Sequence, residues 1–333
     1  MIRNVEKGMY IKNTCSFFMP ERKTMYETIA TAKMSHEEWL NLRKMGIGGS
    51  DAAAICGLNP YRSAVHVYND KTSEEINDVD NESMRQGRDL EEYVARRFME
   101  ETGLKVRKSN MMYRNKENPF MIADIDRLVV GENAGLECKT ASAYNADKWK
   151  DGAIPEHYLI QCYHYMAVTG KMEWYIAVVI LGRDFKYQKV TWDDEIINNL
   201  ISIEKQFWKE HVEKGVIPEP DGSEICDEIL DKYFQKAKKD SAVELRGFDE
   251  KLKRREEVLM LKDKLEKEQK QIEQEIKMFM QESELAYSDN YKVSWSNVNT
   301  SKIDTKRMKE EEPELYQKFL KVSSYRRFRI KAA

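Results

Sequence analysis

The spacing of apolar and polar positions divides the chain into helical and extended stretches with clear punctuation. Ser35-His36-Glu37-Glu38 is a capping box, with Ser35 as N-cap and Glu38 at N3, and it opens a helix through about Lys44. Gly46-Ile47-Gly48-Gly49-Ser50-Asp51 follows as a glycine-rich turn ending in two good cap residues. Ala52-Ala53-Ala54-Ile55 then makes a short helix stopped by Gly57 and Pro60. A second short helix is expected over 63–71 and a loop over 72–81. Leu90, Val94 and Phe98 recur at four-residue spacing in an amphipathic helix over 82–102, closed by Gly103.

The period then changes. Residues 104–114, 121–130 and 136–141 read as strands, separated by Asn118-Pro119 and by Gly131-Glu132-Asn133-Ala134-Gly135. Pro155 opens a helix over 156–169 that Gly170 closes. Residues 173–181 and 185–192 form a hairpin around Gly182-Arg183-Asp184, and Asp193 starts a long amphipathic helix ending at Gly215. Pro218-Glu219-Pro220-Asp221-Gly222 marks a boundary.

Beyond it the pattern shifts again. Residues 244–285 are dense in Glu and Lys, with Val258, Leu265, Ile272 and Phe279 at seven-residue intervals; Leu261 and Ile276 supply part of a second stripe that Glu268 interrupts. A long helix follows from this, then a strand near 291–298, a short helix near 306–321, and a basic end carrying Lys321, Arg326, Arg327, Arg329 and Lys331. The organisation is a lead-in (1–34), a mixed α/β core (35–221) and a mainly helical C-terminal appendage (222–333).

Composition narrows the class. The chain has 333 residues, 41% apolar and 34% charged, with a formal net charge of −3. Wholesale disorder is excluded, and no run approaches the roughly 18 apolar residues of a membrane helix. The first residues lack a signal-peptide core, being interrupted by Lys7, Lys12, Glu21, Arg22 and Lys23. The 5 cysteines are scattered, with no CxxC pair, which argues against a disulfide framework, a zinc site or an iron–sulfur cluster. A soluble intracellular protein is expected. Near-neutral charge means that any nucleic-acid contact must rest on local residues.

The sharpest chemical constellation is Asp126, Glu137 and Lys139. Glu137 and Lys139, two apart on one strand, project from the same sheet face. A short turn to the preceding strand allows an antiparallel pairing that sets Asp126 beside Glu137. Two carboxylates held close repel unless a cation lies between them, and oxygen donors suit a hard ion such as Mg²⁺. The lysine can orient a nucleophile or stabilise charge on phosphate, the logic of metal-assisted phosphodiester hydrolysis. Asp126 pairing with Arg127 or Lys139 as a structural ion pair is the alternative on spacing alone.

Glu91, near Gly87 on the long helix, is a third carboxylate able to support a metal shell, or else a solvent-facing residue. Gln161 and Tyr165 share a helix face, where the amide could hold a ligand or phosphate. Arg43 with Gly48-Gly49-Ser50-Asp51 could seat a phosphate, through backbone N–H groups, a hydroxyl and a guanidinium, or Gly-Ser-Asp could act merely as a cap.

Taken in order, these residues resemble the YqaJ-like viral recombinases and lambda exonuclease, a branch of the PD-(D/E)xK nuclease superfamily. The resemblance rests on Gly46-Ile47-Gly48-Gly49-Ser50-Asp51-Ala52-Ala53, Gln86-Gly87-Arg88-Asp89-Leu90-Glu91 and Ala123-Asp124-Ile125-Asp126-Arg127-Leu128. Leu136-Glu137-Cys138-Lys139-Thr140 and Gln161-Cys162-Tyr163-His164-Tyr165-Met166-Ala167-Val168-Thr169-Gly170 complete it, over about 36–217. It implies a restriction-endonuclease-like core, with a central mixed sheet flanked by helices.

By that resemblance Asp126, Glu137 and the backbone carbonyl of Cys138 are metal ligands, with Glu91 a further acidic position. Lys139 is the catalytic lysine, Gln161 the motif glutamine, and Gln161 with Tyr165 fits a Q-x-x-x-Y pattern. Arg43 and Ser50 hold a 5′-phosphate. The implied activity is a 5′-to-3′ exonuclease on linear double-stranded DNA, using Mg²⁺ (or Mn²⁺), with two ions per active site. The resulting 3′ overhangs would serve a single-strand annealing protein in phage-type recombination. A ring-like homo-oligomer in the cytoplasm of a bacterial host is implied as well. An endonuclease on the same core and a non-catalytic DNA-binding scaffold are the alternatives. Cys138 replaces a more usual apolar residue, and Tyr163 stands where many relatives carry a second Gln.

Overall fold

Strand pairing sets the architecture around the 134–141 segment. The computed structural model describes residues 25–74, 80–234, 236–323 and 325–331. Most of the expected lead-in, and half of the loop expected over 72–81, lie outside the described residues. In chain order the first elements are β1 (Tyr26–Ala30), α1 (His36–Lys44), α2 (Gly49–Ile55), α3 (Ala64–Thr72) and α4 (Glu82–Thr102). Next come β2 (Val106–Lys108), β3 (Met111–Asn115), β4 (Ile122–Asp124), β5 (Arg127–Val129) and β6 (Ala134–Ala141). A run of 3-10 turns (Ala143–Gly152) and α5 (Glu156–Thr169) lead to β7 (Glu173–Ile180), β8 (Asp184–Thr191) and α6 (Asp194–Phe207). A π-helical turn (Trp208–Glu213) extends α6, and α7 (Glu224–Tyr233) follows.

The main sheet has the order β2-β5-β6-β7-β8, antiparallel except for the parallel β6–β7 pair, which is joined through α5. A smaller antiparallel sheet has the order β1-β3-β4, and a parallel bridge joins Ile47 to Met121. Alternation along β6 and β7 sends side chains to two helix-covered faces. Leu136, Tyr175 and Ala177 meet Val94 and Phe98 of α4, while Trp174, Ile176 and Val178 join the larger core beneath α5. Glu137 lies level with Ile176 in the β6–β7 register, on the α5 face. At Gly135 a Cβ would lie 2.4 Å from the Trp174 ring, so only glycine lets the indole cross the strand. The expected α/β class, a central mixed sheet flanked by helices, is observed.

Two expected strands prove to be broken. Residues 104–114 turn at Asn110, whose φ is 52°, sending β2 into the main sheet and β3 into the smaller one. Residues 121–130 divide likewise into β4 and β5, with Asp126 at the break. A two-residue alternation does not register so local an interruption. The helix expected from 52 begins at Gly49, and its N3 residue Asp51 accepts the Gly48 N–H at 3.0 Å. Tyr26–Ala30, placed in the lead-in by sequence, pairs along β3.

The chain divides into two compact units between Tyr233 and Phe234. The first includes α7, whose Cys226 and Ile229 pack with Val65 of α3. The C-terminal unit contains α8 (Asp249–Met280), the hairpin β9 (Leu285–Tyr287) and β10 (Lys292–Ser294), α9 (Thr305–Glu311) and α10 (Pro313–Phe319). Pro313 at the start of α10 divides the single helix expected near 306–321. No helix among the described residues is long and apolar enough to cross a membrane.

Candidate active site

In the β5–β6 register Arg127 faces Leu136, so Asp126 falls opposite Glu137. Asp126 Oδ2 accepts the Cys138 backbone N–H at 2.7 Å, and this bond ties the break in the strand to β6. Glu137 is buried, and its Oε1 lies 2.6 Å from Lys139 Nζ. The ammonium also sits 4.7 Å from the centre of the Tyr158 ring. Burial raises the proton affinity of Asp126, and the Glu137 carboxylate adds to it. Burial likewise raises Glu137, with Lys139 opposing. Burial works against charge on Lys139 too, but Glu137, Tyr158 and Asp126 outweigh it and hold the ammonium well above the ordinary lysine value. Lys139 is therefore a permanent cation at neutral pH.

Gln161 Nε2 donates to Glu137 Oε1 at 2.7 Å and to the Tyr165 hydroxyl at 2.7 Å. Both amide hydrogens are thereby used, so this nitrogen orients Glu137. Gly49 allows the arrangement, because a Cβ there would lie 2.6 Å from Gln161 Cγ and 2.9 Å from Tyr165 Cε1. One residue from Tyr165, the buried His164 donates through Nε2 to the Ile122 carbonyl at 2.8 Å, while its Nδ1 pairs with Glu204 of α6 at 2.8 Å. The imidazole thus links α5, α6 and β4.

Arg43, Ser50, Asp124, Asp126, Glu137 and Gln161 all line one cleft of about 180 Å³. Asp51, beneath it, is fully buried and gathers Lys71 at 2.7 Å, Arg62 at 2.9 Å and Arg43 at 3.7 Å. Burial alone would raise its proton affinity, yet the three cations hold it far below the carboxylate range. Sequence places Asp51 in a cap or a phosphate seat; in the fold it caps α2 and is the counter-ion of Arg43, Arg62 and Lys71. Trp39 and Asp124 were assigned no role from sequence. Trp39 Nε1 donates to Asp124 Oδ2 at 2.9 Å, and Arg43 lies 5.2 Å from the centre of the indole. The four-residue spacing of Trp39 and Arg43 on α1 was the available signal, as was Asp124 two residues from Asp126.

Glu91 adjoins the carboxylate pair, its charge adding to the proton affinity of Asp126 and Glu137, but its carboxylate is held by an arginine. It pairs with the buried Arg127, which also donates to Glu92 at 2.8 Å and to the Asp126 carbonyl at 2.9 Å. A Cβ on Gly87 would meet only Thr140 Oγ1 at 3.9 Å, so no close approach requires that glycine. Among the described residues no three Asp, Glu, His or Cys side chains are arranged to hold a metal ion. The Asp126–Glu137 pair nevertheless suits a hard cation. Its donors are oxygens, each carboxyl is driven toward its neutral form, and the buried Glu137 Oε2 has no hydrogen-bond partner.

Fold and cleft together define a mixed α/β protein whose paired carboxylates, beside a charged lysine, share a cleft with an arginine and a serine. Residues 38–172 match the model of the YqaJ-like viral recombinase domain. The chain is 37% identical over 306 residues to the uncharacterized protein YqaJ of Bacillus subtilis (strain 168), spanning 90% of this chain and 95% of the relative. It belongs to the YqaJ-like viral recombinase family. Among solved structures it is similar to an alkaline exonuclease, LHK-Exo, from Laribacter hongkongensis (TM-score 0.47, 18% identity, 60% of this chain and 100% of that one). A phage-related exonuclease from Haemophilus somnus 129PT is also similar (TM-score 0.41, 15% identity, 54% of this chain and 100% of that one).

Proposed function

We propose that this protein is a divalent-cation-dependent deoxyribonuclease that degrades one strand of linear duplex DNA from its 5′ end. The observation that carries this reading is the meeting of Asp126 and Glu137, the latter paired with the Lys139 ammonium, in one cleft with Arg43 and Ser50. Asp126, Glu137 and the Cys138 carbonyl would hold Mg²⁺ or Mn²⁺. Such an ion supplies charge stabilisation at the phosphoryl oxygens and a more acidic water.

The remaining steps belong to the chain's own groups. Lys139, permanently charged, donates hydrogen bonds to the developing negative charge and does not act as a general base. Gln161 keeps Glu137 turned toward the cleft. Arg43, braced by Asp51 and Trp39, offers guanidinium donors to a terminal phosphate, and Ser50 adds a hydroxyl. End recognition by phosphate fit reads no sequence and sets the direction of digestion. Glu91, held by Arg127, supports the site from behind. The 3′ overhangs left by such digestion suit a single-strand annealing protein, in the cytoplasm of a bacterial cell carrying phage or prophage DNA.

The test is digestion of 5′-phosphorylated linear duplex with Mg²⁺, each strand end-labelled separately, beside covalently closed circular duplex. Stepwise loss of the 5′-ended strand with intact circles is expected. Cleavage of circles would instead make the protein an endonuclease, and no nucleotide release with Mg²⁺ or Mn²⁺ would make it a binding scaffold.

A further inference from the structure

Helix α8 carries an apolar stripe that the other described residues of the C-terminal unit leave uncovered. Val258, Leu261, Leu265, Ile272, Ile276 and Phe279 lie between 37% and 88% exposed along it. From Val258 to Phe279 the stripe runs about 32 Å at the α-helical rise. Lys277, whose ammonium sits 5.9 Å from the centre of the Trp295 ring, lies off the stripe, so the neighbouring hairpin leaves it open.

The stripe is self-complementary when reversed. Set antiparallel about a two-fold axis between Glu268 and Gln269, it places Val258 against Phe279, Leu261 against Ile276, and Leu265 against Ile272 of a second helix. At the centre the two copies of Glu268 and the two Gln269 amides lie beside the axis, which makes this layer the polar one in the seam.

The flanking charges agree. In the antiparallel pairing Lys262 flanks Glu273 of the other helix, and Lys264 flanks Glu275; the two-fold doubles both ion pairs. All four side chains are exposed. Within its own helix Lys262 has only a 3.7 Å pair with Glu266, while Glu273 and Glu275 accept from the neutral Gln269 and Gln271.

We infer that α8 is the interface of a homodimer, an antiparallel two-helix coiled coil in which Val258–Phe279 of one chain covers the same segment of a second copy. The inference stands apart from the nuclease reading, since it uses no residue of the cleft. It goes beyond the ring suggested by family resemblance, because it assigns association to the appendage and predicts a two-fold contact.

The experiment measures the mass of the full chain by sedimentation velocity and light scattering across a wide concentration range. Wild type should sediment as a concentration-dependent dimer or a multiple of it. Lys262→Glu with Lys264→Glu should raise the dissociation constant about tenfold or more, as attractive flanking pairs become repulsive. Adding Glu273→Lys and Glu275→Lys to the same chain should restore association, since the two-fold again opposes unlike charges. Circular dichroism verifies equal helix content in each variant. Wild type sedimenting as a single chain, as expected if α8 folds back on its own protein, would overturn the inference. Association unchanged by the reversal, or a fully helical quadruple variant that stays dissociated, would overturn it too.

Discussion

Asp126 Oδ2 accepts the backbone N–H of Cys138, so the strand that carries Glu137 and Lys139 also holds the opposing carboxylate. Asp126 needs no regular strand of its own to be positioned. The same bond explains why the strand expected over 121–130 is interrupted there.

The raised proton affinity of Asp126 and Glu137 ties stability to pH and to metal. Unfolded carboxyls titrate near pH ~4, whereas these keep their protons to higher pH when folded. Their contribution to the metal-free fold is therefore fully present below about pH 4 and lost as pH rises through the folded values. Mn²⁺ or Mg²⁺ should accordingly raise the melting temperature more at pH ~8 than at pH ~5, and Glu137→Gln should shrink that difference. Equal shifts at both pH values in wild type would refute the shared site; thermal scans with and without the ion decide.

Lys139→Ala should reduce nucleotide release by about 10²–10³-fold, the usual loss on removing a preorganised donor to a transition-state anion. Duplex binding, followed by anisotropy with Ca²⁺ in place of Mg²⁺, should persist. Loss of binding in proportion to rate would assign Lys139 to ground-state contact.

Gly49 and Gly87 offer an opposed pair. Gly49→Ala drives a Cβ into Gln161 and Tyr165, and should cost about 1–3 kcal/mol along with most of the activity. Gly87→Ala meets only Thr140 on an otherwise regular helix and should stabilise by up to about 1 kcal/mol. Urea unfolding measures both.

Asp51→Asn leaves Lys71 buried without its counter-ion and should destabilise by about 3–5 kcal/mol in chemical denaturation. The depressed proton affinity of Asp51 means that its contribution is present above about pH 4 and lost only as pH falls into strong acid.

Arg43→Ala, which leaves the Asp51–Lys71 pair intact, should act on substrate choice. The rate ratio between 5′-phosphorylated and 5′-hydroxyl duplex ends should fall toward one, with turnover on hydroxyl ends little changed. An unaltered ratio would remove Arg43 from end recognition.

Much of the site was legible in sequence because its residues lie in local patterns. The two-residue spacing of Glu137 and Lys139 sets a sheet face, and the four-residue spacing of Gln161 and Tyr165 a helix face; in the fold each pair is in contact. The counter-ion role of Asp51 is not legible in sequence because its cations come from three separate positions, Arg43, Arg62 and Lys71. The pairing of Glu91 with Arg127 was illegible for the same reason: a sequence shows charges without distances, and nearby acids compete for one guanidinium. The turn at Asn110 escaped because one left-handed residue leaves the alternation around it intact.

Helix caps, turn glycines and the order of motif blocks were decided by the sequence alone, because each depends on hydrogen bonds and backbone preferences within a few residues. Tertiary structure decided which charges meet: Asp126 opposite Glu137, Arg43 braced by a buried carboxylate, α7 added to the first unit and not the second. Those outcomes depend on burial and on separations of a few ångströms between groups distant in the chain, and desolvation makes such contacts strong only once the fold has closed around them.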